Sequence, residues 1–154
     1  VSAIRFEDWE PVEIFYTLVN PQTSIPVEAT RINHITNDMV VEAPTFSQIA
    51  ESLSKFIGNS NLVGHNIAFD LAFLYCSGLN LMDKGIKFYD TLQLSQYLMN
   101  SSEKTGTYID YVRNYKLSTL CQHFNIRITN FHNSGVDSYA TGLLFEKIVK
   151  YKIK

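Results

Sequence analysis

Apolar residues recur along this chain with two periods, and the change from one period to the other marks its elements. Residues 1–6 and 14–19 are short runs rich in Ile, Val, Phe and Tyr. Joined by Glu7-Asp8-Trp9-Glu10-Pro11, they predict a β-hairpin, which Asn20-Pro21 closes. Residues 22–43 are mostly polar and read as irregular chain anchored by Ile25, Ile32, Ile35 and Met39. Phe46, Ile49, Ala50, Leu53, Phe56 and Ile57 then repeat at three and four, the mark of a helix with one apolar face. Thr45-Phe46-Ser47-Gln48 fits a capping box at its start, and Gly58 stops it. A strand at 61–64, a helix at 69–77 ended by Gly78, a strand at 86–89 and a helix at 91–99 follow. Residues 100–115 are polar and Tyr-rich and read as a mobile loop. Leu117, Leu120, Cys121 and Phe124 predict a short helix. A last helix spans 135–151, with Val136, Ala140, Leu143, Leu144 and Ile148 on its buried stripe. Strands come first and then alternate with helices, an order that fits a mixed α/β sheet covered by helices.

Length and composition narrow the picture. A chain of 154 residues fits a single domain, residues 1–154, with a core that needs no staples. The 45% hydrophobic and 18% charged residues are those of an ordinary soluble globular protein. A net charge of −2 excludes a broad basic nucleic-acid platform, but not a narrow site that holds nucleic acid through metal ions. Cys76 and Cys121 lack metal-ligand spacing and sit among apolar residues, so both read as reduced core thiols of a cytoplasmic protein. No stretch reaches the roughly 18 apolar residues of a membrane span, and no signal-peptide pattern opens the chain.

Three segments carry candidate chemistry. His65-Asn66-Ile67-Ala68-Phe69-Asp70 is a polar pair at a strand end followed by a carboxylate opening a helix. Tyr89-Asp90-Thr91 places another carboxylate at a strand-to-helix junction. His132-Asn133-Ser134-Gly135-Val136-Asp137 is a loop histidine with an acid five residues later. Ligands of open α/β sheets gather at strand ends, and carboxylates gathered there repel one another unless a cation sits between them. Each segment also has a plain structural reading. Asp70 can complement a helix dipole, Asp90 can be an N-cap, and Ser134-x-x-Asp137 is itself a capping-box pattern. His132 alone reads as an ordinary hydrogen-bonded histidine, and Phe69 as core more readily than as a stacking platform.

The order and spacing of all three are what the plain readings leave unexplained. Leu18-Val19-Asn20-Pro21, Ile32-Asn33-His34-Ile35-Thr36, Leu62-Val63-Gly64-His65-Asn66-x-x-Phe69-Asp70, Tyr89-Asp90-Thr91-Leu92 and His132-x4-Asp137 followed by Ala140-Thr141-Gly142 span nearly the whole chain. In that combination the sequence resembles the DEDD-type (DEDDh) 3′–5′ exonucleases. These are epsilon-like proofreading and ribonuclease T-like enzymes of the ribonuclease-H-like superfamily. The resemblance implies two divalent ions, Mg²⁺ or Mn²⁺, bound by Asp70 and Asp137, with His132 as general base. It places Asp90, Asn66 and His65 in support, and Asn66 and Phe69 against the substrate. It implies hydrolysis at the 3′ end of single-stranded or frayed DNA or RNA, with a DNA polymerase as a partner. The alternative is a non-catalytic exonuclease-like module that binds a polymerase or another protein.

The family's first acidic motif, an Asp-x-Glu on its first strand, is not matched. Residues 1–6 align with the second strand instead, so the expected sheet lacks its first strand. Asp8-Trp9-Glu10 falls in the hairpin turn and reads as solvated. The strand is truncated away, supplied by another chain or truly lost, and the first is favoured. With half of the four acidic ligands unmatched, residues 1–154 alone are expected to have little or no nuclease activity.

Overall fold

The computed structural model describes residues 1–105, 112–128 and 133–152. Strands β1 (Ser2–Glu7) and β2 (Glu10–Tyr16) form the expected antiparallel hairpin. Its tip is tighter than the sequence suggests. Asp8 and Trp9 have φ of 49° and 73°, so two residues make the whole turn, with the backbone twist that matches right-twisted strands. The pairing shifts by one residue between Arg5–Glu13 and Phe6–Pro11. That bulge lets β2 hold Pro11, which has no N–H to donate to a ladder. Strand β2 therefore begins and ends earlier than residues 14–19. The ladder runs out where Thr17 N–H donates to Val1 O, 3.1 Å away.

Residues 22–43 contain two helices that the hydrophobic pattern did not predict, α1 (Val27–Asn33) and α2 (Asn37–Val40). Pro26 stands at the N-cap with φ −60°, and His34 ends α1 in the left-handed region while donating to Thr30 O. Helix α1 buries no residue, so no apolar period exists to be read. Of the expected anchors, Ile32 and Met39 are exposed and Ile25 and Ile35 half-buried; Val40 is the buried residue here.

The remaining order follows the sequence closely: α3 (Phe46–Ile57), β3 (Leu62–Gly64), α4 (Ile67–Cys76), β4 (Phe88–Asp90), α5 (Thr91–Thr105), α6 (Leu117–His123) and α7 (Ser134–Lys152). Helix α5 runs further than residue 99, into the segment expected to be a loop; residues 106–111 of that segment lie outside those described. Half of the capping box of α3 is made: Thr45 N–H donates to Gln48 Oε1 at 2.8 Å, and the Thr45 hydroxyl turns to the same oxygen. Helix α3 buries Ile49, Leu53 and Ile57, as its period requires.

Strands β3 and β4 pair in parallel, Gly64 opposite Asp90, and among the described residues they form a sheet separate from the hairpin. Helix α7 packs against both β1 and β3. Its Ala140, Leu144 and Ile148 join Met99, Leu120, Cys121 and Ile126 in one core, with Val136 and Leu143 half-buried at its margin. Each such aliphatic side chain contributes about 1.5–3 kcal/mol on burial. A second core joins Leu53, Ile57 and Leu81. Gly142 lets α7 approach the hairpin, because a Cβ there would overlap the Phe6 ring.

Cys121 is buried as expected, whereas Cys76 is exposed and not a core thiol. Phe69 is likewise not core. Helix α4 buries only Ile67, and leaves Phe69 73%, Phe73 53% and Tyr75 64% exposed.

Candidate functional site

The site grows from the two parallel strand ends. After Gly64 the chain turns sharply: Asn66, the N-cap of α4, adopts φ 62° and ψ 47°. Asparagine tolerates this left-handed conformation better than most side-chain-bearing residues. Gly64 is required by the same turn, since a Cβ would lie 2.7 Å from the Ile67 side chain. Asp90 answers from the end of β4. One of its oxygens, Oδ1, accepts N–H bonds from both Asn66 and Leu92, each 2.9 Å long. Asp90 thus caps α5 and clips the start of α4 to it. Its supporting role is structural, and it does not line the cavity described below.

His65 is tied into the same junction. Its Nδ1 lies 3.0 Å from Thr91 Oγ1, and Thr91, fully buried, donates to Gly64 O at 3.2 Å. Burial pushes the His65 ring below its usual pKa of 6.5. The Tyr115 main chain and the charges of Asp90 and Asp137 oppose that shift without cancelling it.

Asp70 stands in the first turn of α4. Its residue surface is solvent-accessible, yet loss of water around the carboxyl raises its pKa above the usual 3.8, and the Asp90 charge adds to the rise. Its own main chain works in the opposite direction.

Asp137 opens α7, and here the capping-box reading fails. The cap is Asn133, whose Oδ1 accepts Gly135 N–H at 3.0 Å and Val136 N–H at 3.5 Å. Ser134 is already the first helical residue. Asp137 is therefore not the reciprocal partner of a Ser134 cap. Its charge reaches both His65 and Cys121, and the Cys121 thiol is pushed up to about 11, chiefly by burial.

A cavity of about 2200 Å³ opens beside these junctions, lined by His65, Asn66, Asp70 and Asp137. Two helices far apart in sequence thus turn one carboxylate each into the same space. Phe73, one turn beyond the exposed Phe69, also lines it. His132 lies outside the described residues. Among the described residues no group of three or more His, Cys, Asp or Glu is placed to hold a metal ion. Sequence reasoning missed Thr91, the partner of His65. It also missed Arg113 and Lys116, which line the cavity from a stretch read as loop. Two basic residues three apart, just before a predicted helix, were the only signal.

Known proteins place this architecture. A family model described as RNase_T, exonuclease, matches residues 1–145. The DNA polymerase III PolC-type protein of Clostridium perfringens is 33% identical over 158 residues, covering 100% of this chain and 10% of its own length. The DNA polymerase III subunit epsilon of Treponema pallidum is 29% identical over 157 residues, covering 100% of this chain and 69% of its own. The chain thus spans about a tenth of the length of the PolC-type relatives. Among solved structures, Exonuclease X in complex with 5′ overhanging duplex DNA superposes with a TM-score of 0.67 at 20% identity, covering 98% of this chain and 81% of that one. That likeness bears out the expected α/β fold, and the family match bears out the resemblance read from the motifs. The chain belongs to the RNase_T exonuclease family.

Proposed function

We propose that residues 1–154 form the nuclease domain of a 3′–5′ exonuclease, which hydrolyses phosphodiesters at a single-stranded or frayed 3′ end. The observation that carries this reading is the convergence of Asp70 from α4 and Asp137 from α7 on one cavity that His65 and Asn66 also line. The donor chemistry suits a hard divalent cation. Both groups are carboxylates, and Asp70 is held toward its neutral form by lost hydration and by Asp90, a cost that a cation offsets. Asp70 and Asp137 would hold Mg²⁺ or Mn²⁺, with further donors completing the shell. Such ions, two of them in this proposal, stabilise the attacking and leaving oxygens of a phosphodiester when bound.

The chain's own residues supply the rest. His132 accepts a proton from the attacking water, a task suited to an imidazole near neutral pH. Asn66 contacts the terminal nucleotide, fixed in place by the clip from Asp90. Phe69, exposed one residue before Asp70, offers a ring face to a base. The names of the relatives suggest a DNA polymerase as partner, DNA as a substrate beside RNA, and a cytoplasmic setting. A second reading, a non-catalytic module that docks on a polymerase, is favoured by the absence of a three-donor cluster among the described residues.

The test is Mn²⁺-dependent release of nucleotides from 3′-labelled oligo-dT and oligo-U. It compares the protein expressed from its complete gene with residues 1–154 alone. We expect release by the former and little or none by the latter. His132→Ala should lower release by about 10²–10⁴-fold, the usual worth of a general base. Degradation by neither form would replace the enzyme with the docking module. Degradation by residues 1–154 alone would overturn the expectation of inactivity.

A further inference from the structure

We propose that Arg113 and Lys116 form a phosphate-gripping edge of the cavity, held in place by His65 as a positioning residue. The inference rests on the nuclease reading of the site, and it adds the side chains that receive the nucleic-acid backbone.

Charge balance points to these two. Asp8, Asp70 and Asp137 line the cavity, and so do Arg5, Arg113 and Lys116. Arg5 is engaged elsewhere, in an ion pair with Glu13 at 3.3 Å and in a bond to Phe56 O. Neither Arg113 nor Lys116 belongs to an ion pair among the described residues. A polyanionic strand brought toward Asp70 and Asp137 meets like charge unless cations offset it. In a chain of net charge −2, these two side chains are placed to do so.

The segment that carries them is anchored on both flanks. Asn114 Oδ1 accepts Lys116 N–H at 3.0 Å and the Thr119 hydroxyl at 2.8 Å, which stitches the segment to α6. Val112, Tyr115 and Leu117 pack against the core around Leu120 and Leu144. On the other flank stands His65. Its ring meets Thr91 Oγ1 through Nδ1 and also meets the Tyr115 main chain. One imidazole thus joins the end of β3, the start of α5 and residues 113–116. Main chain held this way presents two cations at fixed positions, so less side-chain and loop freedom is lost when a strand binds.

The test is the salt dependence of binding, read by fluorescence anisotropy of 3′-labelled oligo-dT and oligo-U with no divalent metal added. Each phosphate contact to a single strand contributes about 0.7 to the slope of log K against log salt. The double variant Arg113→Ala, Lys116→Ala should therefore flatten the slope by about 1.4. His65→Phe keeps the ring's bulk and loses its bonds, and should flatten the slope in the same direction. His65→Gln, which can still hydrogen-bond, should restore most of it. Melting temperatures measured alongside separate this from unfolding: a slope that moves only when the protein melts earlier overturns the positioning role. Binding by the unaltered protein with a slope that neither variant moves overturns the phosphate edge and leaves the nuclease reading standing. No binding of either oligonucleotide by the unaltered protein counts against the nuclease reading as well.

Discussion

Asp90 Oδ1 accepts the main-chain N–H of Asn66 across the two parallel strands, 2.9 Å away, while capping its own helix through Leu92. One carboxylate oxygen therefore fixes both junctions from which the site is built. Removing it strands two N–H groups at once. Asp90→Ala should cost about 1–2 kcal/mol, the upper range of a lost cap. Asp90→Asn keeps an acceptor oxygen at the same reach and should cost less than half of that. Urea unfolding of both variants checks the order, and equal losses would mean that charge rather than the shared oxygen holds the junction.

The helix α7 meets the hairpin where Phe6 lies over Gly142, with Tyr139 stacked on the same ring at 6.2 Å. A methyl group at position 142 has nowhere to go. Gly142→Ala should destabilise by about 1–3 kcal/mol, although alanine is the better helix former. Phe6→Leu in the same chain should return part of the loss. Thermal melts of the single and double variants would detect this, and a Gly142→Ala protein more stable than the parent would refute the contact.

What the sequence made legible follows from where burial is periodic. Ile49, Leu53 and Ile57 of α3, and Ala140, Leu144 and Ile148 of α7, are buried at the spacing their pattern announces. Helix α1 buries nothing, so only its local signals, Pro26 before it and His34 after it, could have marked it. The turn at Asp8 and Trp9 carries no glycine to advertise its left-handed backbone. The site was legible as a set of motifs, yet its internal division of labour was not. Asp70 and Asp90 look alike as text at strand-to-helix junctions. Only the fold shows that Asp90 spends an oxygen on two N–H groups while Asp70 faces the cavity. Exposure of Phe69 and Cys76 was missed for a related reason. Helix α4 is apolar nearly all round, and its pattern alone does not say which faces are covered.

Two buried titrations act in opposite directions on stability. The His65 pKa is depressed below 6.5 in the folded state. The folded protein therefore binds fewer protons there than the unfolded chain, and stability is lost as pH falls from 6.5 through the folded value. The Asp70 pKa is raised above 3.8, so the folded state holds its proton longer and stability falls as pH rises from 3.8 through the folded value. His65→Gln should flatten the unfolding free energy below pH 6.5. Asp70→Asn should remove the decline that begins above 3.8. Urea titrations at several pH values test both, and a His65→Gln curve parallel to the parent's would contradict the assignment.

Asn133 and Asp137 divide the start of α7 between folding and chemistry. Asn133 Oδ1 takes up two N–H groups of the first turn, so Asn133→Ala should cost about 1 kcal/mol of stability, while Ser134→Ala costs almost nothing. Asp137→Asn loses only a helix-dipole interaction of about 0.3–1 kcal/mol, because Asn133 has already done the capping. Its larger effect should be on the cation. Since Asp137 and Asp70 face one cavity, either Asn variant should weaken Mn²⁺ binding by at least tenfold in calorimetric or spin-resonance titration, with the fold retained. If Asp137→Asn instead unfolds the protein and leaves metal affinity unchanged in what remains folded, Asp137 is a structural residue after all.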